Sequence, residues 1–274
     1  MLSAKSRLGS FVQEGILHAR LSLGCQDACY VVDTERVKVA VVCDGCSTSN
    51  GQKTQNQVGA ILGAQHLACG LAKRLTDDVE FDKALHETTE VAVRFFCRLR
   101  DGMRIAPIEE YEFVLHKLIF CVMGFAVVDS RFWVFGLGDG CYGDGNGIKI
   151  LDKAPETFLG YRALRRQYRK YVNKAKPVLE VLSSGSITEA KYIWVGTDGL
   201  MKVLSRESAQ RDFQKFVNDD FTCARSANGN DTTVMAFRRS FLDDRQTSFS
   251  DDIALALLKV SDICEKGATH DQAT

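Results

Sequence analysis

The sequence of 274 residues carries no net charge and contains no long apolar run. Its 35 basic side chains balance 35 acidic ones, so the overall charge does not favour nucleic acid or a membrane as a partner. The longest apolar stretch, residues 118–128, is shorter than the roughly 18 residues of a membrane span and suits a buried strand. Residues 1–7 are not followed by an apolar core, so we expect no signal peptide.

Internal repeats and linkers rich in proline or in glycine and serine are also missing, and the whole chain has 3 prolines. Without a linker, the length fits one large domain. We therefore predict a single domain over residues 1–274, with a polar and frayed tail from about residue 265.

The 10 cysteines do not form an obvious disulfide or zinc framework. Cys69, Cys97 and Cys121 lie in apolar periodic segments, where a free thiol behaves as a small hydrophobic side chain. A chain of this size needs no disulfides, which favours a reducing, cytoplasmic location. Cys43 and Cys46 form a single CxxC pair, which alone is a weak signal for zinc binding or redox chemistry.

Apolar periodicity predicts an α+β protein with antiparallel strands. Val37, Val39 and Val41 alternate along a predicted strand that ends at Asp44-Gly45. The runs 118–128 and 132–137 predict a hairpin, and their continuous apolar character indicates that both faces are covered. The other predicted elements are strands at 11–18, 28–33, 192–196 and 253–260 and long helices near 61–75 and 81–99.

Five aspartates stand where predicted strands begin or end. Asp44, Asp139 and Asp198 each follow an apolar strand and precede a glycine, Asp251 precedes the last strand, and Asp27 lies in the first connection. Carboxylates gathered at one rim of a sheet repel one another unless a cation neutralises them. Hard oxygen ligands without clustered histidines or thiolates favour Mg²⁺ or Mn²⁺. Such a carboxylate-rich site suits phosphate oxygens and the activation of water.

Five short motifs surround these aspartates. They are Cys25-Gln26-Asp27-Ala28, Val42-Cys43-Asp44-Gly45, Gly138-Asp139-Gly140, Thr197-Asp198-Gly199-Leu200 and Asp251-Asp252-Ile253-Ala254. Their order resembles that of the type-2C metal-dependent protein phosphatases, in their bacterial form. Each motif is short, but five in the expected order along nearly the whole chain make the resemblance specific. It implies a four-layer α-β-β-α sandwich, with two mainly antiparallel sheets flanked by helix pairs.

The resemblance also implies an activity, namely metal-dependent hydrolysis of phosphoserine and phosphothreonine in phosphoprotein substrates. The cofactors would be two Mn²⁺ or Mg²⁺ ions. A third ion is implied at Asp139 together with Asp198. No Cys-x5-Arg run is present, so the sequence does not support a thiol-phosphatase mechanism.

Residue roles follow from the resemblance by position. Asp44 would bridge two metal ions, and the carbonyl of Gly45 would bind one of them. Asp198 and Asp251 would hold the other ion. Asp27 would order metal-bound water.

The sequence departs from the family pattern at three positions. Gln26 stands where eukaryotic members have glutamate, and a neutral amide is a poorer metal ligand. Cys46 replaces a histidine proposed as the general acid, so the leaving oxygen would take its proton from water or another residue. Ala254 replaces a threonine that supports the site. His18 and Arg20, near the first motif, are the candidates for binding phosphate.

Three alternatives remain open from the sequence. Residues 230–234 also resemble the closing motif, which makes Asp231 an alternative to Asp251. The changes at Gln26 and Cys46 fit a catalytically degenerate regulatory module. The basic, tyrosine-containing segment 161–176 could dock an acidic or phosphorylated partner, or it could be a solvated helix balanced by acids elsewhere. We expect neither nucleic acid nor a membrane as a partner.

Overall fold

The computed structural model describes residues 6–46, 54–106, 109–151, 158–165, 168, 177–217 and 250–260. The strands are β1 Ser6–Gln13, β2 Asp27–Asp33, β3 Val37–Gly45, β4 Phe120–Val128, β5 Arg131–Leu137, β6 Gly140–Gly143, β7 Ile148–Leu151, β8 Glu180–Ser186, β9 Tyr192–Gly196 and β10 Ile253–Val260. The helices are α1 Ile16–Leu21, α2 Gln57–Thr76, α3 Phe81–Gly102, α4 Glu110–Lys117, α5 Ile187–Ala190, α6 Asp198–Val203 and α7 Glu207–Lys215.

The strands form two five-stranded sheets in which the pairings are antiparallel. One sheet has the order β1-β10-β9-β6-β7, and the other has the order β2-β3-β4-β5-β8. The predicted α+β class is therefore confirmed, with two antiparallel sheets and flanking helices.

Strand β3 shows how the layers are built, because its nine residues are apolar on both faces apart from Lys38 and the Asp44-Gly45 end. Val37, Val39, Val41 and Cys43 point to one side, where they pack against the buried faces of α2 and α3. The opposite side chains belong to a cluster between the two sheets. That cluster contains Ala40 and Val42 of β3, Met123 and Phe125 of β4, Ile193 and Val195 of β9, and Ala254, Ala256 and Leu258 of β10.

The outer face of the other sheet is covered by α6 and α7. Trp194 of β9 packs edge-on against Phe213 of α7, with ring centroids 4.8 Å apart. Leu255 and Leu257 of β10 belong to the same buried cluster as Leu200 of α6. The order of layers is thus helices, sheet, sheet, helices, as the resemblance implied.

The predicted strand 11–18 is wrong in its second half. Residues 6–13 form β1, but residues 16–21 form the short helix α1. Strand β1 pairs with β10, whereas β2 belongs to the other sheet. The cause is tertiary, because the Asp252 carboxylate accepts hydrogen bonds at the start of α1 from the amide of Gly15 and from His18.

Most other predicted elements are confirmed. The hairpin is β4–β5, the strands predicted at 192–196 and 253–260 are β9 and β10, and the two long helices are α2 and α3. The described helices include none with the length and apolar character that a bilayer span needs.

Two sequence hypotheses fall largely outside the described residues. Asp231 lies there, as does most of the basic segment 161–176. In the described part of that segment, Arg162 contacts Glu90 at 2.6 Å and Arg165 contacts Glu110 at 3.0 Å. These acids within the same molecule favour the interpretation of a balanced, solvated segment for this part.

Candidate metal centre

The aspartates singled out from the sequence lie where strands of both sheets begin or end. Asp27 begins β2 and Asp44 lies one residue before the end of β3, and the antiparallel register places them directly opposite each other. Asp139 lies between β5 and β6. Asp198 follows β9, and Asp251 precedes β10. We call this set of five aspartates the acidic rim.

Asp27 links the two sheets at the acidic rim. Its Oδ2 accepts a hydrogen bond of 2.6 Å from the hydroxyl of Thr197, which follows β9. The same hydroxyl accepts a hydrogen bond of 2.9 Å from the amide of Ala254 in β10. Thr197 therefore fixes the Asp27 carboxyl relative to the strand that follows Asp251.

Burial and mutual repulsion change the titration of the two facing carboxyls. Burial raises the pKa of Asp27 to about 8, and the nearby charges of Asp252 and Asp198 add to this while the Thr197 bond opposes it. Burial also raises the pKa of Asp44 well above its usual range, as do the neighbouring charges of Asp27 and Asp198. These raised values are what carboxyls show when they are crowded without a neutralising cation.

Asp44 also forms a cluster with Asp139 and Cys121. One potential ligand atom from each of these three residues lies within 4.8 Å of the other two. Cys121 pairs with Asp44 in the β3–β4 register, and its thiol donates to Oδ1 of Asp139 at 2.5 Å. Two carboxylates and a thiol from neighbouring strands form a donor set that suits a divalent transition metal.

The CxxC pair of the sequence does not act as a pair. Cys43 is fully buried under the helices. Cys46 instead lies 3.8 Å from Cys121, measured between the sulfur atoms. The hydrogen bond between these thiols, followed by burial, raises the pKa of Cys121 well above its usual range. Cys121, which the apolar context had assigned to the core, therefore has its thiol against a carboxylate of the acidic rim.

Asp198 and Asp251 face a lysine. Nζ of Lys202 lies 2.6 Å from Oδ2 of Asp198 and 2.5 Å from Oδ2 of Asp251. Partial burial alone would lower the pKa of Lys202, but the hydrogen bonds to the two carboxylates raise it above its usual range. An ammonium ion thus bridges the two residues that the sequence resemblance assigned to one metal ion.

Asp252 is buried next to the acidic rim and binds residues near the N-terminus. Its carboxylate is 1% exposed and accepts hydrogen bonds from the amide of Gly15 at 2.7 Å, the amide of Gln26 at 2.5 Å and Nδ1 of His18 at 2.6 Å. His18 is thereby held with Nε2 at 3.7 Å from Asp251. Arg20 is exposed on α1.

Glycine follows Asp198 because the backbone approaches closely there. A Cβ atom at Gly199 would lie 1.9 Å from the carbonyl oxygen of Asp252, which no side chain tolerates. The Asp-Gly sequence therefore lets α6 begin directly against the segment that carries Asp251 and Asp252.

Gln26 and Asn56 lie beside the end of β3 that carries Asp44. Gln26 is 1% exposed, and its amide nitrogen donates to the Thr54 hydroxyl at 3.2 Å. Its Oε1 has no hydrogen-bond partner among the described residues. Asn56 donates to the carbonyl oxygen of Cys46 at 2.5 Å and accepts from the amide of Ile119 at 3.1 Å. Gln26 therefore serves as a buried support beside the rim.

A divalent ion fits one half of the acidic rim. Asp44 and Asp139 lie next to the Cys121 thiol and have no Lys or Arg partner among the described ion pairs. Burial, and then neighbouring negative charges, raises the pKa of Asp44. The other half, Asp198 and Asp251, already contains a cation in Lys202. The two halves therefore differ in their need for a metal.

Four functional positions were missed or undervalued from sequence. Thr197 stood in a motif, but its two hydrogen bonds depend on tertiary structure. Lys202 lies four residues after Asp198, a spacing that on a helix places two side chains together and was the available signal. The roles of Cys121 and Asp252 depend on strand register and burial, which no local pattern encodes.

Comparisons with known proteins agree with this fold. No protein-family model and no curated protein sequence matches the chain. Among solved structures, a variant of a bacterial serine phosphatase matches with a TM-score of 0.58 and 11% identity, covering 94% of this chain and 100% of that one. The serine/threonine phosphatase Stp1 from Staphylococcus aureus matches with a TM-score of 0.56 and 12% identity, covering 94% and 96%.

A third match is the catalytic domain of the serine/threonine protein phosphatase PstP, whose structure contains two manganese ions. Its TM-score is 0.52 at 13% identity, and the match covers 94% of this chain and 99% of that one. Identities this low establish architecture and leave the chemistry to the residues themselves. The family resemblance of the motifs is thus confirmed at the level of architecture: the chain has the fold of the bacterial type-2C serine/threonine phosphatases.

Proposed function

We propose that the chain is a metal-dependent phosphomonoester hydrolase acting on phosphoserine and phosphothreonine in proteins. The observation that carries the proposal is the gathering of carboxyls at the acidic rim. Asp27 lies opposite Asp44 in the β2–β3 register, and potential ligand atoms of Asp44, Asp139 and Cys121 lie within 4.8 Å of one another. Burial, and then repulsion between neighbouring carboxyls, raises the pKa of Asp27 and of Asp44, and a bound cation would relieve that repulsion. The structural neighbours, which are serine/threonine phosphatases, support the choice of reaction.

We assign Asp44, Asp139 and Cys121 as the residues that would hold a divalent ion, with the carbonyl of Gly45 as a further ligand. Asp198 and Asp251 complete the acidic rim. A bound Mn²⁺ or Mg²⁺ would polarise the phosphoryl group and make water a better nucleophile. Because a thiol lies in the donor set, softer ions than Mg²⁺ gain affinity.

The protein's own residues then have distinct tasks. The Thr197 hydroxyl orients the Asp27 carboxyl, which we assign to positioning the attacking water. Lys202 has one ammonium hydrogen left after its contacts with Asp198 and Asp251, and we assign that hydrogen to a phosphoryl oxygen. His18, oriented by Asp252, lies at the Asp251 side, and we assign it to contact with the phosphate rather than Arg20.

Hydrolysis of p-nitrophenyl phosphate tests the proposal, with Mn²⁺, with Mg²⁺ and with chelator. Asp44→Asn should lower turnover by more than about 100-fold, since even changes in the outer shell of a metal site lower activity by roughly 10- to 100-fold. Asp129→Asn is the matched control, because Asp129 lies in the β4–β5 turn at the opposite end of the same sheet and has a positive φ that asparagine tolerates. Equal activity of wild type and Asp44→Asn would contradict the assignment.

A regulatory module without turnover is the second candidate. The ion pairs of Lys202 favour it, because one ammonium group offsets part of the negative charge of two of the five aspartates without a metal. Folded wild type that binds a phosphopeptide but releases no phosphate under any metal condition would select this alternative.

A further inference from the structure

The Lys202 ammonium makes two short contacts that a surface ion pair does not require. Its partners come from different segments, Asp198 at the start of α6 and Asp251 before β10, with Nζ 2.6 Å and 2.5 Å from their Oδ2 atoms. The aspartate side chains are 17% and 31% exposed. One cation therefore joins two partly buried carboxylates of the acidic rim.

These positions conflict with a metal ion bound by the same two residues. A divalent ion of the Mg²⁺ type lies about 2.0–2.1 Å from its carboxylate oxygens. A nitrogen 2.5–2.6 Å from one oxygen of each aspartate occupies much of that space. Two cations side by side would also repel each other, although the Lys202 side chain is 50% exposed and water screens part of that repulsion. Because Lys202 is tethered four residues from Asp198, its ammonium competes at a high effective concentration.

The opposite half of the rim has no such cation among the residues that the structure describes. Among the described residues, the ion pairs give neither Asp44 nor Asp139 a lysine or arginine partner. Their neighbour is the thiol of Cys121. A metal ion binding there would not displace a lysine or arginine of the described part of the chain.

We infer that the Lys202 ammonium replaces a metal ion at Asp198 and Asp251, so that the acidic rim holds one divalent ion fewer than it would with a neutral residue at this position. The inference rests on the proposed function for the nature of the rim. It makes the site a hybrid of one metal position, at Asp44, Asp139 and Cys121, and one internal ammonium. Phosphate oxygens would then meet a metal ion on one side and an ammonium group on the other.

The test counts bound Mn²⁺ by equilibrium dialysis and metal analysis in wild type and three variants. Lys202→Met removes the charge, Lys202→Gln removes it but keeps hydrogen-bond donors, and Lys202→Arg keeps it. Lys83→Met is the control for loss of a positive charge elsewhere, since Lys83 is exposed on α3. Thermal melting with and without Mn²⁺ accompanies each count.

Lys202→Met and Lys202→Gln should each bind one more Mn²⁺ than wild type. Their affinity for this additional ion should be at least about tenfold higher than the affinity of wild type for a further Mn²⁺. Lys202→Arg and Lys83→Met should bind the wild-type number. If Lys202→Met is unfolded in chelator, two other results decide whether Lys202 replaces a metal ion. They are the number of Mn²⁺ ions bound by Lys202→Gln and the recovery of a melting transition when Mn²⁺ is added to Lys202→Met. Equal counts for wild type, Lys202→Met and Lys202→Gln would overturn the inference.

This outcome is separable from the proposed function. Wild type that hydrolyses phosphate esters but binds as many ions as Lys202→Met would refute the role of Lys202 and leave the activity standing. Wild type without turnover, whose Lys202→Met variant gains one ion, would refute the activity and support the role of Lys202.

Discussion

Replacing Asp252 by asparagine should loosen the link between the N-terminal segment and the last strand. Asp252 receives hydrogen bonds from residues more than 220 positions away, the amides of Gly15 and Gln26 and the ring of His18. Asparagine keeps one acceptor oxygen and presents an NH₂ group, which cannot accept. At least one buried amide would therefore lose its partner, and the remaining bonds would lose the assistance of a charge.

The expected loss of unfolding free energy is about 2–4 kcal/mol. An unsatisfied buried donor costs roughly 1–3 kcal/mol, and hydrogen bonds to a charged group contribute about 1.5–3 kcal/mol against 0.5–1.5 kcal/mol for neutral ones. The smaller desolvation of a neutral amide offsets part of the sum. This loss would be a large fraction of a typical domain stability of about 5–15 kcal/mol.

Urea unfolding in chelator measures how much Asp252→Asn lowers the free energy of unfolding. The comparison requires that this free energy depends on urea concentration with the same slope in both proteins. Asp251→Asn is the matched control, because its partly exposed ion pair should contribute less than about 1 kcal/mol. A double-mutant cycle with His18→Gln should show coupling between positions 252 and 18. If Asp252→Asn stays within about 0.5 kcal/mol of wild type, the buried carboxylate does not anchor this segment and the reasoning fails.

Three further predictions concern the rim. Thr197→Val removes the hydrogen bonds to Asp27 and Ala254 and should lower the free energy of unfolding, measured in urea, by about 2–4 kcal/mol. Thr197→Ser keeps the hydroxyl and should change this free energy by less than about 1 kcal/mol. Equal losses in the two variants would contradict the role of the hydroxyl. Because the folded-state pKa of Asp27 is raised from 3.8 to about 8, the folded state binds the extra proton. Stability in chelator should therefore fall as pH rises between about 5 and 8, and thermal melts that do not shift downward would refute this. With Co²⁺, wild type should show a near-ultraviolet thiolate-to-metal band that Cys121→Ser loses and Cys97→Ser retains; persistence in Cys121→Ser would exclude this thiol as a ligand.

Strands with continuous apolar character were predictable because their local sequence and their tertiary surroundings agree. Most side chains of β3 and β10 are apolar on both faces, which favours burial of the whole strand. The acidic residues at the strand ends lie where the apolar pattern stops. The positions of Asp44 and Asp251 at strand ends could therefore be read from the sequence.

Helix α1 was not predictable for the opposite reason. Its six residues contain apolar side chains, yet none is buried, and the segment is held through Gly15 and His18 by Asp252. Cys121 was correctly assigned to the core, since it is 2% exposed. The sequence did not predict the hydrogen bond from its thiol to Asp139, because that bond depends on the β3–β4 register and on the β5–β6 connection.

Lys202 is a feature that the motif resemblance did not include. The Asp198 motif supplies the residue types of a metal site, and the structure adds an ammonium group four positions later that contacts the same carboxylate. An i,i+4 pair on a helix is common and usually contributes little. Only the third partner, Asp251, distinguishes this contact from an ordinary surface ion pair, and it comes from a segment 49 residues away.

The central claim is metal-dependent hydrolysis of phosphoserine and phosphothreonine at the acidic rim. The most direct measurement is the release of inorganic phosphate from phosphoserine, phosphothreonine and phosphotyrosine peptides by wild type and Asp44→Asn, with Mn²⁺ and with chelator. The account predicts release from the first two peptides by wild type with Mn²⁺, and none in chelator or with Asp44→Asn. Release that persists in chelator or in the variant, or no release by folded wild type with Mn²⁺, would contradict it.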